Sequence, residues 1–202
     1  MFYEPGKTAH NLPHDPFKAC VAPRPIGWIS TLDKNGRPNL APYSFFNAVL
    51  GTPPMVMFSS GGSVDSLQNA RDTGEFVVGV APKSMLKELN FSSSPLPSGE
   101  DEFEYAGLEK LPAKCVKPHL IKGVPIHMEC EVYQIVDLPS AFPDQRPCGM
   151  VIGTVVGLHI DDDIIRDGMV DITLFEPLAR LGYHEYASIS ETFTVRREDF
   201  WK

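Results

Sequence analysis

The chain has 202 residues, 43% of them hydrophobic and 22% charged, which is globular composition and length enough to bury a core without disulfide or metal support. Its 18 basic and 26 acidic residues leave a net charge of −8, which argues against a nucleic-acid backbone or an anionic membrane as a main partner. Any anion it binds must be held locally, by placed amides and a few cations.

The predicted elements begin after an aperiodic, Pro- and His-containing surface arm over residues 1–23. Residues 26–32 (IGWISTL) form a β-branched strand, and Asn35-Gly36 is a strong hairpin signal. Residues 39–46 (NLAPYSFF) form the second strand. Pro42 cannot donate to a ladder, so this strand has an edge, a bulge or a bend there. Residues 55–58 (MVMF) form a third strand, ended by Ser59-Ser60-Gly61-Gly62.

A helix is predicted over 64–72, with Ser63 or Asp65 as cap and Gly74 at the position after its end. Residues 75–81 read as a strand, 82–91 as a helix opened by Pro82, and 92–104 as an acidic loop. The period-two pattern of Ile126, Met128, Cys130 and Val132 predicts a long half-buried strand over 126–138. Further strands are predicted over 150–160 and 192–195. At least six strands with accessory helices and hairpin spacing predict a mainly β, antiparallel Greek-key barrel with peripheral helices, in one domain over 1–202.

The four cysteines (20, 115, 130 and 148) have no CxxC spacing, and no His lies in register with them for a metal. His10 and His14 are four apart, but Pro13 between them argues against a helical metal pair. The N-terminus has no apolar signal core, and the longest apolar stretch, 150–160, is broken by Gly and Thr. The expectation is a cytoplasmic protein with free thiols, no metal, no nucleic acid and no membrane. No phosphate-loop, dinucleotide, zinc-protease or serine-hydrolase signature occurs. No side chain is nominated as catalytic.

One segment points to a site. Residues 55–66 read strand, Ser-Gly loop, helix N-terminus, which can turn amides and hydroxyls toward one anion such as a phosphate. The same residues also read as an ordinary loop ending in a capped helix, and Asp65 sides with that reading.

Three runs carry a wider pattern: Arg24-Pro25-Ile26-Gly27-Trp28-Ile29-Ser30-Thr31, Asn35-Gly36-Arg37-Pro38-Asn39-Leu40-Ala41-Pro42-Tyr43-Ser44-Phe45-Phe46-Asn47, and Pro53-Pro54-Met55-Val56-Met57-Phe58-Ser59. With Asp65-Ser66-Leu67-Gln68-Asn69 and Leu178-Ala179-Arg180-Leu181-Gly182, they span about residues 20–195 in order. The ordered set resembles the flavin reductase-like family with the FMN-binding split barrel, in its flavoredoxin and nitrilotriacetate-monooxygenase-component-B branch.

The resemblance implies a homodimeric split β-barrel that binds FMN without a covalent bond and takes hydride from NADH or NADPH. It also implies that some members supply reduced flavin to a partner monooxygenase. Carried onto this chain, Asn39, Leu40, Ala41, Pro42, Tyr43, Ser44, Phe45 and Asn47 would line the flavin. Ser59, Ser60 and Ser66 would hold its phosphate, and Arg180, Gly182 and Tyr183 would approach from the C-terminal segment. The chain departs from the family at Val64, where a lysine is usual, leaving Arg24, Arg71 or a residue of a partner subunit to supply the charge. Trp28 reads as core, Phe45 as core or flavin contact, and Arg180 as flavin contact or ion pair with Glu176 or Glu185. Two other functions stay open: a flavoredoxin-like FMN electron carrier, and a related barrel acting as a non-enzymatic ligand-binding module.

Overall fold

A computed structural model describes residues 1–61, 64–97, 99–140, 142 and 144–196. Seven strands form the main sheet: β1 (Gly27–Leu32), β2 (Pro38–Tyr43), β3 (Phe46–Gly51), β4 (Pro54–Ser60), β5 (Glu75–Val80), β6 (Ile126–Leu138) and β7 (Cys148–Ile160). Their spatial order is β2-β1-β5-β6-β7-β4-β3, and every neighbouring pair is antiparallel. The two edge strands, β2 and β3, are consecutive in sequence and joined by Ser44 and Phe45 alone. Two residues cannot span an open seven-stranded sheet, so the sheet curls until its edges approach at that corner. The result is a barrel split along one seam.

Ile29, Tyr43, Phe46, Val56, Phe58, Phe76 and Val78 fill the barrel, with Leu67 and Ala70 of α2 (Val64–Thr73) packed against them. Each fully buried phenylalanine here contributes about 1.5–3 kcal/mol. Gly74, at φ +72°, ends α2 in the left-handed conformation that glycine adopts at no steric cost. A polar network keys α2 to the barrel wall: Asn39 Nδ2 donates to Ser66 Oγ (2.9 Å) and Thr31 Oγ1 (3.2 Å), and Asn69 Nδ2 donates to the same Thr31 oxygen (3.1 Å).

A second apolar layer lies outside β1 and β2. Trp28, Leu40, Leu89 and Phe103 pack there beneath α3 (Leu86–Phe91) and α4 (Glu102–Tyr105). Trp28 is fully buried, as expected of a core residue, and its indole N–H donates to Ser92 Oγ at 2.9 Å. Among the described residues, no helix is long and apolar enough to cross a membrane.

The structure corrects four expectations. The strand expected over 39–46 ends at Tyr43, and Phe46 opens an edge strand of its own, so the sheet has seven strands. The acidic loop contains α4, whose start is capped by Asp101 accepting from Phe103 N–H at 2.9 Å. Residues 192–195 have no regular structure; the last strand among the described residues is Tyr186–Ser188, which pairs with Leu178–Arg180 beside Arg24–Pro25. The predicted helix over 82–91 is a 3₁₀ turn, Lys83–Met85, followed by α3. Gly62 and Ser63, part of the proposed anion loop and cap, lie outside the described residues, as does the side chain of Val64.

One buried charge anchors a long loop. Glu129 on β6 is 0% exposed and accepts from the backbone N–H groups of Lys114 (2.9 Å), Cys115 (2.5 Å) and Val116 (3.0 Å). His159 Nε2 on β7 lies 2.5 Å from Oε1, the oxygen that Lys114 N–H also meets, while Cys115 and Val116 bond Oε2. Burial alone would raise the Glu129 pKa, but the His159 contact and the three amides outweigh it and hold the carboxyl at about 2. The folded pKa lies below the unfolded value of about 4.3, so the contribution is complete above about pH 4.3 and is lost as pH falls toward 2. Glu129→Gln should therefore cost about 1–3 kcal/mol in urea unfolding at pH 7. The variant should lack part of the wild-type stability loss between pH 4.3 and 2, so that the two curves converge in acid; equal stability at pH 7 would refute the anchoring role.

Candidate functional site

The seam stays open because β2 has almost nothing to offer a further strand. Leu40 N–H faces the outer edge and is taken by Glu102 Oε2 of α4 at 3.0 Å. The residues two positions either side, Pro38 and Pro42, point the same way and have no N–H. Burial pushes the Glu102 carboxyl up, and the Leu40 N–H opposes that shift. Beyond Tyr43, the N–H groups of Ser44 and Phe45 donate no hydrogen bond among the described residues. Phe45 C=O accepts from Ser59 N–H at 2.8 Å, which fixes the corner to the end of β4. Gly27 permits this packing: a Cβ there would lie 2.7 Å from the Phe46 ring.

A cleft of about 550 Å³ opens at the corner. Pro42, Tyr43, Ser44 and Phe45 form one wall, and Ser59, Ser60 and Gly61 form another. Leu138 and Cys148, where β6 and β7 meet, close a third side, and Lys18 reaches the rim. The cleft thus joins two unused amides, an exposed aromatic ring, two serines and a cation. The Tyr43 ring packs instead on Phe58 in the barrel core, where its hydroxyl is buried without a hydrogen-bond partner among the described residues. Amides, hydroxyls and a cation suit a ligand that has a planar polar ring and an anionic tail.

A second cavity of about 400 Å³ adjoins the first and shares Lys18, Pro42 and Ser44 with it. Its remaining walls include Arg24, Arg180, Tyr183 and Tyr186. Arg24 is buried, and its guanidinium donates to the carbonyls of Lys18, Val21 and Leu181, with Nε 3.4 Å from Ser44 Oγ. Arg180 donates to Tyr183 C=O at 2.6 Å and lies 4.4 Å over the Tyr186 ring. Of the two readings of Arg180, the ion pair with Glu176 or Glu185 does not form: Glu176 is taken by Lys83 at 2.6 Å, and Arg180 has no carboxylate partner among the described residues.

Of the residues expected at the site, Pro42, Tyr43, Ser44, Phe45, Ser59 and Ser60 come together around the first cleft, and Arg180 and Tyr183 around the second. Asn39, Leu40, Ala41, Asn47, Ser66 and Gly182 line neither. Asn39 and Ser66 are buried and bonded to each other, Leu40 sits in the outer core, and Ala41 packs on the barrel core. Asn47 is exposed on β3, its Oδ1 accepting from Ala48 N–H. Gly182 acts by absence of a side chain: a Cβ there would fall 2.5 Å from the Ala19 Cβ.

That close approach seats α1 (Phe17–Cys20) against the C-terminal segment and carries Lys18 to both cavities. Lys18 was not foreseen, because nothing in the aperiodic arm marks it. Arg71, one of the expected cations, is instead paired with Asp137 and lines neither cavity.

Comparison with known proteins agrees with this geometry. Residues 20–183 match the family model described as a flavin reductase like domain. An uncharacterized protein of Halalkalibacterium halodurans is 35% identical over 182 residues, 88% of this chain and 87% of its own. The crystal structure of nitrilotriacetate monooxygenase component B from Bacillus cereus superposes with a TM-score of 0.86 at 29% identity, covering 96% of this chain and 98% of that one. The 2-nitrobenzoate 2-nitroreductase of Pseudomonas fluorescens superposes with a TM-score of 0.81 at 26% identity, covering 92% and 90%. With seven antiparallel strands split at a cleft of free amides and a family match over most of its length, the chain belongs to the flavin reductase-like family and has its split-barrel fold.

Proposed function

We propose that the protein binds FMN at the Ser44–Phe45 corner and acts as an NAD(P)H:flavin oxidoreductase. The observation that carries this reading is the corner itself: Ser44 and Phe45, whose adjacent N–H groups have no partner among the described residues, line one cleft together with two serines and a lysine. When bound, FMN supplies the redox chemistry, accepting hydride from NADH or NADPH and releasing electrons to an acceptor. The protein's part is to bind and orient. The Ser44 and Phe45 amides would hold the polar edge of the ring, and Ser59 and Ser60 would hold the phosphate. Lys18 supplies the charge that Val64 does not. Phe45, 40% exposed with the Arg24 guanidinium 5.8 Å from its ring centre, offers a face to the ring system. Leu138 and Pro139 shed water from the opposite wall.

A cavity for a second small molecule beside the flavin cleft favours a reductase over a pure electron carrier. A monooxygenase component B among the similar structures supports delivery of reduced flavin to a partner monooxygenase. Exposed Val49 and Leu50 on β3, Tyr133 on β6, and Val156 and Leu158 on β7 support a homodimer that covers them. All four cysteines are free thiols, in keeping with a reducing, cytoplasmic setting.

Two outcomes are expected. Ser59→Ala should weaken FMN about 10- to 150-fold while leaving riboflavin nearly unchanged, since one hydrogen bond to a charged group is worth about 1.5–3 kcal/mol. Lys18→Gln should cost about 0.2–1 kcal/mol, fading at high salt. Fluorescence titration with both flavins at two salt concentrations reads both effects, and equal losses for FMN and riboflavin would remove the phosphate assignment. Separately, sedimentation at micromolar concentration should give a dimer for the wild type and a monomer for Leu158→Arg; a monomeric wild type would overturn the dimer.

A further inference from the structure

Arg24 is 6% exposed and has no carboxylate partner among the described residues. A buried cation without a counter-ion is costly unless its N–H groups are met. Here the protein's own oxygens meet them. Nη1 donates to Lys18 C=O and to Val21 C=O (2.5 Å), Nη2 donates to Leu181 C=O (2.8 Å), and Nε donates to Ser44 Oγ (3.4 Å). Every nitrogen of the guanidinium is engaged, so the group is committed to the protein and not to a ligand's phosphate. Burial, and then the charge of Arg180, lowers its pKa, so the charge is kept here at a cost that these contacts offset.

These contacts join three places in the fold. Lys18 lies in α1 and Val21 follows it, Leu181 precedes Gly182 in the C-terminal segment, and Ser44 is the first residue of the corner. The guanidinium carbon also lies 5.8 Å from the centre of the Phe45 ring, so both corner residues are met. On the other side the corner is fixed by Ser59 N–H, which donates to Phe45 C=O at 2.8 Å. The N–H groups of Ser44 and Phe45 have no ladder partner among the described residues. Main chain without a ladder opens easily unless its side chains are fastened, and Arg24 fastens them.

We propose that Arg24 is a positioning residue of the flavin corner. Through Ser44 Oγ and the Phe45 ring it fixes the two amides that hold the polar edge of the flavin, and through three carbonyls it ties α1 and the C-terminal segment to the same point. The effect on flavin rests on the FMN reading above; the tie between α1 and the corner does not. Arg24 thus serves the ring, which FMN and riboflavin share, whereas Ser59 serves the phosphate, which only FMN has. Lysine is no substitute, because one ammonium lacks the fork that spans the carbonyls on one side and Ser44 on the other.

Fluorescence titration with FMN and with riboflavin, at high salt so that the Lys18 charge is screened, compares wild type, Arg24→Gln, Arg24→Lys, Ser44→Ala and the variant with both Arg24→Gln and Ser44→Ala. Each Arg24 variant should weaken both flavins about tenfold, alike within about twofold, and should blur the fine structure of the visible band of bound flavin at saturation. Ser44→Ala should weaken both flavins about twofold to tenfold in the wild type and hardly at all in Arg24→Gln, because the two residues act through one contact. In flavin-free protein, trypsin should cut after Lys18 faster in Arg24→Gln than in the wild type. The proposal is overturned by unchanged flavin affinity or an unchanged bound spectrum in Arg24→Gln, by full recovery in Arg24→Lys, or by additive losses in the double variant. Loss of FMN with riboflavin spared also overturns it and makes Arg24 the phosphate cation. If Arg24→Gln does not fold, Ser44→Ala decides: equal loss of both flavins supports the proposal and unchanged affinity overturns it. Failure of FMN to bind the wild type refutes the flavin reading, while trypsin cleavage still tests the tie to α1, which an unchanged rate overturns.

Discussion

The outer edge of β2 cannot be extended into a sheet. Of its three residues that face outward, two are prolines without an N–H and the third, Leu40, gives its N–H to Glu102. A closed barrel needs a ladder between its first and last strands, and this edge withholds the donors. The chain therefore turns the corner at Ser44 and Phe45 without zipping the seam. The unpaired main chain that results is the feature on which the cleft, its free amides and its neighbouring cavity all depend.

Keeping a seam open costs stability, and the fold compensates on either side of it. Barrel interior and outer layer together bury both faces of β1, with Trp28 outward and Ile29 inward. Buried polar groups are used as fixed joints. Thr31, Asn39, Ser66 and Asn69 bond α2 to the wall, and Glu129 gathers three amides of the 114–116 loop. Such groups cost desolvation, but their hydrogen bonds to one another offset it and specify one arrangement.

Charge is distributed with the same economy. The paired arginines sit with aspartates over the surface, where such pairs contribute little. Arg24 and Arg180 are kept apart from acid partners and brought to one end of the seam with Lys18. The α1 helix is short, yet its seating against Gly182 decides whether Lys18 reaches the cavities at all. A site assembled from residues 18, 24, 44, 59 and 180 has no local signature, because no two of these share an element.

Much of the fold was written in local pattern. Alternation marked β6, Asn35-Gly36 marked the β1–β2 hairpin, and Gly74 marked the end of α2, because period, turn chemistry and φ preference act within a few residues. Pro42 announced an irregular edge, and the ordered runs from Arg24 to Ser59 carried the family. Sequence pattern could not show that Phe46 begins a new strand, since an apolar run reads the same whether it continues or turns. Nor could it show that Ser66 and Asn39 are spent on each other, that Arg71 is spent on Asp137, or that Lys18 and Arg180 face a common cavity. Those outcomes depend on which side chains meet across the closed barrel, and only the tertiary structure decides that.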